Sequence, residues 1–456
     1  MARTQRLGVA MHDLTHGPIP RHLLRMALPI AIGMLFQTLY VLVDLYFVAR
    51  LGEAALAGVA AAANLAFVVM AATQVLGVGT VAVIAQAAGR RDRIEAGLAF
   101  HQSLLLSALA GGATLVLGYA FADDYMRAFG ADAATAAAGT AYLHAYLPGL
   151  ALQFAAVSLG SALRGAGVAK PTMVVQMLSV LLNAALAPVL IAGWGTGVPL
   201  GVAGAGLAST LAIAAGVVGL WVWFRRREQF VAFERAQLIP HAPMCRRLLG
   251  VGLPAGGEFA LMFVYMAVIF YAIRDQGAAA QAGFGVGSRV MQAIFLPAMA
   301  IAFAVSPVAG QNFGAGHAGR VRETFRAAAL MGSALMLLLT LACQWRPDAL
   351  VGLFTADAAV LAVAAVFLGT LSWNFVASGL VFVCSGMFQA LGHTLPALAS
   401  SASRLLTFVA PALWLASRPG FTLKQLWWLS VASVASQAVL SLLLLRAQLR
   451  ARLAPG

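Results

Sequence analysis

Charge is scarce in this chain of 456 residues: Asp, Glu, Lys and Arg together make up 10% of it. Soluble domains carry roughly 25%, so an ordinary water-soluble protein is excluded. Lysine is nearly absent, with Lys170 and Lys424 the only two among 29 basic residues. That bias, beside abundant alanine and glycine, points to a GC-rich bacterial genome. The three cysteines, Cys245, Cys343 and Cys384, have neither metal-ligand spacing nor the number for a disulfide framework. No Walker sequence is present, so the chain has no ATP site of its own to drive work. The glycine-rich run Gly283-Phe284-Gly285-Val286-Gly287 lies in an apolar stretch, not on a strand-to-helix turn, and so fails as a phosphate cradle. No enzyme motif or cofactor signature remains. No basic stripe interleaved with aromatics exists either, which argues against a nucleic-acid partner.

What the chain has is 62% hydrophobic residues. About 20 apolar residues cross roughly 30 Å of hydrocarbon, and twelve runs qualify, near 23–49, 54–88, 96–120, 139–162, 172–192, 203–224, 248–273, 280–313, 324–343, 361–392, 397–416 and 425–445. The fold class is an all-α polytopic membrane protein. The first run is too long for a signal-peptide core and lacks a small-residue cleavage site, so it reads as a retained span. Short cytoplasmic loops collect Arg and Lys. With the N-terminus inside, the inner segments hold 21 basic residues, from Arg3 and Arg6 to Arg450 and Arg452, and the outer ones six. Both termini are therefore expected on the cytoplasmic side of a bacterial inner membrane. The net charge of +14 reflects this topology.

The chain also repeats itself at an offset of 225 residues. Ala27-Leu28-Pro29 returns as Gly252-Leu253-Pro254, Gln86-Ala87-Ala88-Gly89 as Gln311-Asn312-Phe313-Gly314, and Gly167 with Pro171 as Gly392 with Pro396. Each copy has room for six spans, an even number, so both copies enter the membrane the same way round. The expected division is a lobe at 1–224, a cytoplasmic linker at 225–247 and a second lobe at 248–456.

Ionisable groups inside a span are costly unless paired or wet, so each is a functional candidate. Of fifteen acids, six fall in inner segments, Glu228 and Glu234 among them, and seven in outer ones. Asp44 and Glu258 remain. Asp44 shares one helix face with Gly33, Gln37 and Tyr40, at steps of four, three and four residues. A carboxylate there can take up a proton or cation on one side and release it on the other, or it can stay neutral and hydrogen-bonded to Tyr40 or a neighbouring span. Pro29, about four turns away, removes a backbone hydrogen bond and permits a bend. That bend is either coupled to Asp44 or a static kink. In the fifth span Gln176, Val180, Asn183 and Ala187 line one face, and Asn183 is either a ligand or interhelical glue. Glu258 is near the depth of Arg404, with Arg289 an alternative partner, so a structural ion pair competes with a role in ion coupling. Met262 and Met266 belong to a set of span methionines suited to a pocket that repacks around varied cargo.

Taken together these residues resemble the multidrug and toxic compound extrusion (MATE) family. The likeness runs from Asp13-Leu14-Thr15-His16-Gly17-Pro18-Ile19 through Gln37-Thr38-Leu39-Tyr40-Val41-Leu42-Val43-Asp44, Leu163-Arg164-Gly165-Ala166-Gly167 and Asn183. It recurs at Leu253-Pro254 with Glu258, at Gly310-Gln311-Asn312-Phe313-Gly314-Ala315 and at Gln389-Ala390-Leu391-Gly392. The resemblance implies two six-helix lobes around a V-shaped cavity, working as a monomer, and export of amphipathic, cationic compounds in exchange for H⁺ or Na⁺. It makes Asp44 the first-span acid, Pro29 the bending proline and Asn183 the fifth-span amide. Gln37, Tyr40 and Gln176 are then cavity-lining, and Ser209 or Thr210 a hydroxyl contributor. The chain departs from several members at Ala187, where they carry a second carboxylate. An Na⁺ site at Asp44 and Asn183 is weakened by that loss, and H⁺ is favoured as the coupling ion. The second-half acid of another subgroup is also missing, with Asn374 nearest. The alternative reading is a lipid-linked precursor flippase of the wider superfamily.

Overall fold

The computed structural model describes residues 12–453, apart from 131, 196, 228–229 and 232–234. Arg3, Arg6, Glu228 and Glu234 therefore lie outside the described residues. Among those described, twelve helices are long and apolar enough to cross a membrane. They are α1 (Ile19–Ala49), α2 (Glu53–Gly89), α3 (Arg93–Phe129), α4 (Ala133–Gly165), α5 (Lys170–Ala192) and α6 (Gly201–Arg227), then α7 (Ala242–Ile273), α8 (Ala278–Gly314), α9 (Ala318–Trp345), α10 (Ala358–Ala390), α11 (Leu395–Ala416) and α12 (Leu423–Arg452). The 225-residue offset is kept by these boundaries: α2 and α8, α4 and α10, and α5 and α11 begin one offset apart.

Local sequence sets the helix ends. The Asp92 side chain accepts from the Glu95 amide at 2.9 Å and Asp132 from the Thr135 amide at 2.7 Å. Asp357, one repeat after Asp132, accepts from Ala359 and Val360. These caps satisfy amides that have no carbonyl within their own helix. Gly167 and Gly392 adopt φ of 83° and 68°, a left-handed turn that glycine makes without Cβ strain. Pro171 and Pro396 then open α5 and α11, where a missing N–H costs nothing.

The chain forms two compact units. Unit 1 comprises residues up to Asp13 and Leu28–Gly252; unit 2 comprises Leu14–Ala27 and Leu253–Gly456. The border thus cuts α1 just before Leu28-Pro29 and α7 just before Leu253-Pro254. Each unit holds the opening turns of the first helix of the other repeat.

In unit 2 those turns are held by the motif Gln311-Asn312. The Leu14 amide donates to Gln311 Oε1 at 3.0 Å, and Asn312 Nδ2 donates to the Leu14 carbonyl at 3.1 Å. Arg320 donates to Asn312 Oδ1 and to the Gly17 carbonyl. In unit 1 the counterpart Gln86 accepts from Arg247, which also pairs with Glu95. The residues after α6 are not a free linker. Phe230 and Val231 are buried in one cluster with Phe100, Leu220 and Phe224. Gln102 donates to the Gln237 and Ile239 carbonyls, both at 2.9 Å.

Within unit 1, α2 and α4 approach backbone to backbone. A Cβ at Gly58 would stand 2.6 Å from the Gly139 nitrogen and 2.7 Å from the Thr135 carbonyl. Small residues at helix contacts are how membrane helices gain packing contacts.

Candidate functional site

Asp44 lies on α1 and is 8% exposed. Tyr142 of α4 donates to its Oδ2 at 3.1 Å. Its Oδ1 is buried without a hydrogen-bond partner. Tyr146, one turn along α4, lies beside Tyr142 with the rings tilted at 48° and centroids 5.3 Å apart, and accepts from Gln153 at 3.4 Å. Asn183 of α5 is fully buried. Its Nδ2 donates to Ser209 Oγ at 3.3 Å and reaches Tyr40 Oη at 3.5 Å. Its Oδ1, like Asp44 Oδ1, has no partner. Four helices of unit 1 therefore gather Asp44, Asn183, the phenols of Tyr40, Tyr142 and Tyr146 and the Ser209 hydroxyl, apart from the buried hydroxyl chain of Thr80, Ser103, Ser158 and Ser107. A buried polar oxygen without a donor is costly, and two in one site suit a bound proton or cation.

Of the residues expected from sequence, Asp44, Tyr40 and Asn183 come together. Ser209 lies with them through its bond from Asn183. Thr210 does not: it donates to the Ala145 carbonyl at 2.7 Å and accepts from the Gly149 amide, tying α6 to α4. Gln37 is exposed and Gln176 partly buried, and neither is bonded to the Asp44 group. Ala187 is buried in the cluster that includes Tyr142 and Tyr146, so an apolar methyl occupies the place of the missing carboxylate. The sequence reading missed Tyr142, Tyr146 and Gln153. Their signal was a polar spacing of four and seven residues within α4.

In unit 2, Glu258 of α7 is partly buried, and both its oxygens lie 3.4 Å from Ser385 Oγ. Of the two readings left open for Glu258, the ion pair is not formed among the described residues. Arg404 instead stacks over the Tyr265 ring at 4.5 Å and near Phe408 at 5.5 Å, and Arg289 makes no ion pair with Glu258 either. Similar depth put Arg404 level with Glu258, but its azimuth on α11 turns it to the aromatic faces. Met262 is exposed and Met266 packs partly against the aromatic cluster around Phe284 and Trp427.

The MatE family pattern matches twice, over residues 29–189 and 254–414, one match on each repeat. The chain belongs to the MATE family of membrane transporters. It is 25% identical over 375 residues to the probable multidrug resistance protein YoeA of Bacillus subtilis, covering 80% of each chain. It is 23% identical to a FAD transporter of Shewanella oneidensis, covering 88% of each. Among solved structures it matches an outward-facing multidrug resistance MATE family transporter with a TM-score of 0.90, at 26% identity over 100% of both chains. Both repeats of this MATE chain keep the family pattern, yet the carboxylate–amide–phenol group sits in the first alone.

Proposed function

We propose that this MATE transporter exports amphipathic, cationic compounds in exchange for H⁺, with Asp44 as the coupling acid. The observation that carries this reading is the pairing of two partnerless buried oxygens, Asp44 Oδ1 and Asn183 Oδ1, with the phenols of Tyr40 and Tyr142. A proton on Asp44 would remove the buried charge, whose cost in hydrocarbon is high. Na⁺ prefers several hard oxygen ligands, and the methyl of Ala187 supplies none, so H⁺ is favoured over Na⁺ at Asp44 and Asn183. Pro29 would let α1 bend as Asp44 changes charge. Glu258 with Ser385 is a second acid for coupling or cargo; Gln37, Gln176, Met262 and Met266 would meet cargo. The arginine distribution supports both termini in the cytoplasm and placement in a bacterial inner membrane. The protein would act as a monomer without a cofactor.

The test is ethidium efflux from proteoliposomes under separately imposed pH and Na⁺ gradients, comparing the wild type with Asp44→Asn. Efflux driven by pH and lost in the variant is the expected result. Full efflux by the variant would sink the mechanism, and efflux driven by Na⁺ alone would reassign the ion. Because one relative is named for FAD, an anionic dinucleotide, FAD belongs in the same assay; its export with no ethidium movement would overturn the cationic cargo.

A further inference from the structure

The start of α9 and the end of α12 line a half-open groove of about 530 Å³. Arg322 and Arg326 line it from α9, Arg446 and Arg450 from α12, and its walls are Phe325, Leu442, Leu445 and Leu449. On each helix the two arginines are four residues apart, a like-charged spacing that destabilises a helix unless something offsets it. Among the described residues none of the four forms an ion pair. This contrasts with Arg90 and Arg247, which share Glu95.

The first repeat indicates what kind of body the groove accepts. One offset earlier, Arg322, Arg326 and Arg446 correspond to Gly97, His101 and Trp221, and the wall residues Phe325, Leu445 and Leu449 to Phe100, Leu220 and Phe224. There the chain after α6 supplies its own filling. Phe230 and Val231 pack on Phe100, Leu220 and Phe224, and Gln237 lies so close to Gly97 that a Cβ would stand 2.7 Å from its Oε1. In the second repeat the same groove keeps its apolar walls, gains three arginines and receives no described segment of the chain.

We propose that this groove binds an anionic glycerophospholipid from the leaflet adjoining these helix ends. Its phosphodiester would lie among the four guanidiniums and an acyl chain along Phe325, Leu442, Leu445 and Leu449. Charge complementarity selects the lipid: basic pockets between membrane helices take phosphate headgroups, and guanidinium pairs match phosphate in a bidentate fork. The apolar walls have no use for a free phosphate ion.

The test is native mass spectrometry of the full chain in a neutral detergent, titrated with cardiolipin and, separately, with phosphatidylcholine. The wild type should hold one cardiolipin saturably and prefer it to phosphatidylcholine. Arg326→Gln with Arg446→Gln should weaken cardiolipin binding about tenfold or more without lowering the melting temperature. Arg225→Gln with Arg226→Gln, the same charge change elsewhere, should leave it unaltered. Unchanged binding in the first variant, equal loss in the second, or no preference over phosphatidylcholine would each overturn the proposal. Displacement of the lipid by excess inorganic phosphate would assign the arginines to a free ion and overturn it too.

Discussion

The two repeats share a backbone register but fill its centre with opposite chemistry. Unit 1 places Asp44, Tyr142, Tyr146, Asn183 and Ser209 at five positions. One offset later unit 2 places Ile269, Phe367, Leu371, Phe408 and Val434. The phenol of Tyr40 survives as Tyr265, but its hydroxyl bonds the Ser401 carbonyl and its ring lies under Arg404. Around it Phe284 stacks on Trp427 with centroids 5.9 Å apart, and Phe367 meets Trp427 edge-on at 4.9 Å. The repeats keep one register, yet unit 1 holds titratable groups on regular helices, whereas unit 2 packs aromatic rings and breaks its helices with a 3-10 turn at Ser372–Asn374 and a π turn at Leu405–Val409. The acid of unit 2, Glu258, stands at the position of Gly33, far along the helix from that of Asp44. The buried polar cluster of unit 1 is thus matched, one offset later, by a cluster of aromatic rings in unit 2.

The largest way to break this contrast is Asp44→Asn, expected to reduce gradient-driven ethidium efflux to the level of protein-free vesicles while the melting temperature holds. Next comes Phe408→Asn, which copies Asn183 into unit 2 with Val434 in the place of the Ser209 hydroxyl. Losing the aromatic packing should cost about 3–5 kcal/mol, read as a lower melting temperature in detergent; unaltered stability would show that the apolar filling of unit 2 is incidental. Gly252→Ala is smaller. Its new Cβ would collide with the Val75 carbonyl oxygen, and a backbone atom cannot swing aside, so about 1–3 kcal/mol is expected. The counterpart Ala27 already carries that methyl and is buried, which makes it the natural control.

Tyr142→Phe copies Phe367 into unit 1 and removes the one donor to Asp44. The expected loss is about 1 kcal/mol, read as a severalfold slower efflux with normal folding. The smallest effect belongs to Asp132. The Thr135 amide and hydroxyl hold its carboxyl below the usual carboxylate range. A depressed folded value means its cap contributes at neutral pH and is lost as pH falls through that value. Protection of the Thr135 amide from exchange should fall on acidification in the wild type and become insensitive to pH in Asp132→Asn.

The frame was legible because membrane spans, repeat anchors and glycine–proline turns are written locally. Asp44 and Asn183 stood out because polar residues in apolar helices are rare. Tyr142 and Tyr146 did not, since a tyrosine in a span has the same profile whether it packs against lipid or faces a carboxylate. Which side of α4 meets α1 depends on how four helices cross, and no single helix carries that information. The same gap produced the Glu258–Arg404 pairing, where depth agreed and azimuth did not. Within the stretch 225–247, Phe230-Val231 is the apolar pair by which the segment packs back onto α3 and α6. The exchange of opening turns between units had no local signature, because the partners of Leu14 are 297 and 298 residues away.

That separation sets a clock. At about 5–20 residues per second during synthesis, α1 leaves the ribosome many seconds before Gln311, Asn312 and Arg320 exist. The start of α1 is consequently anchored only after α8 has been made, and unit 2 stays incomplete on any nascent chain that has not reached α9. Until then the opening turns of α1 lack the partners that hold them in the finished protein, so their position is fixed by the synthesis of α8 and α9 and not by that of α1 itself.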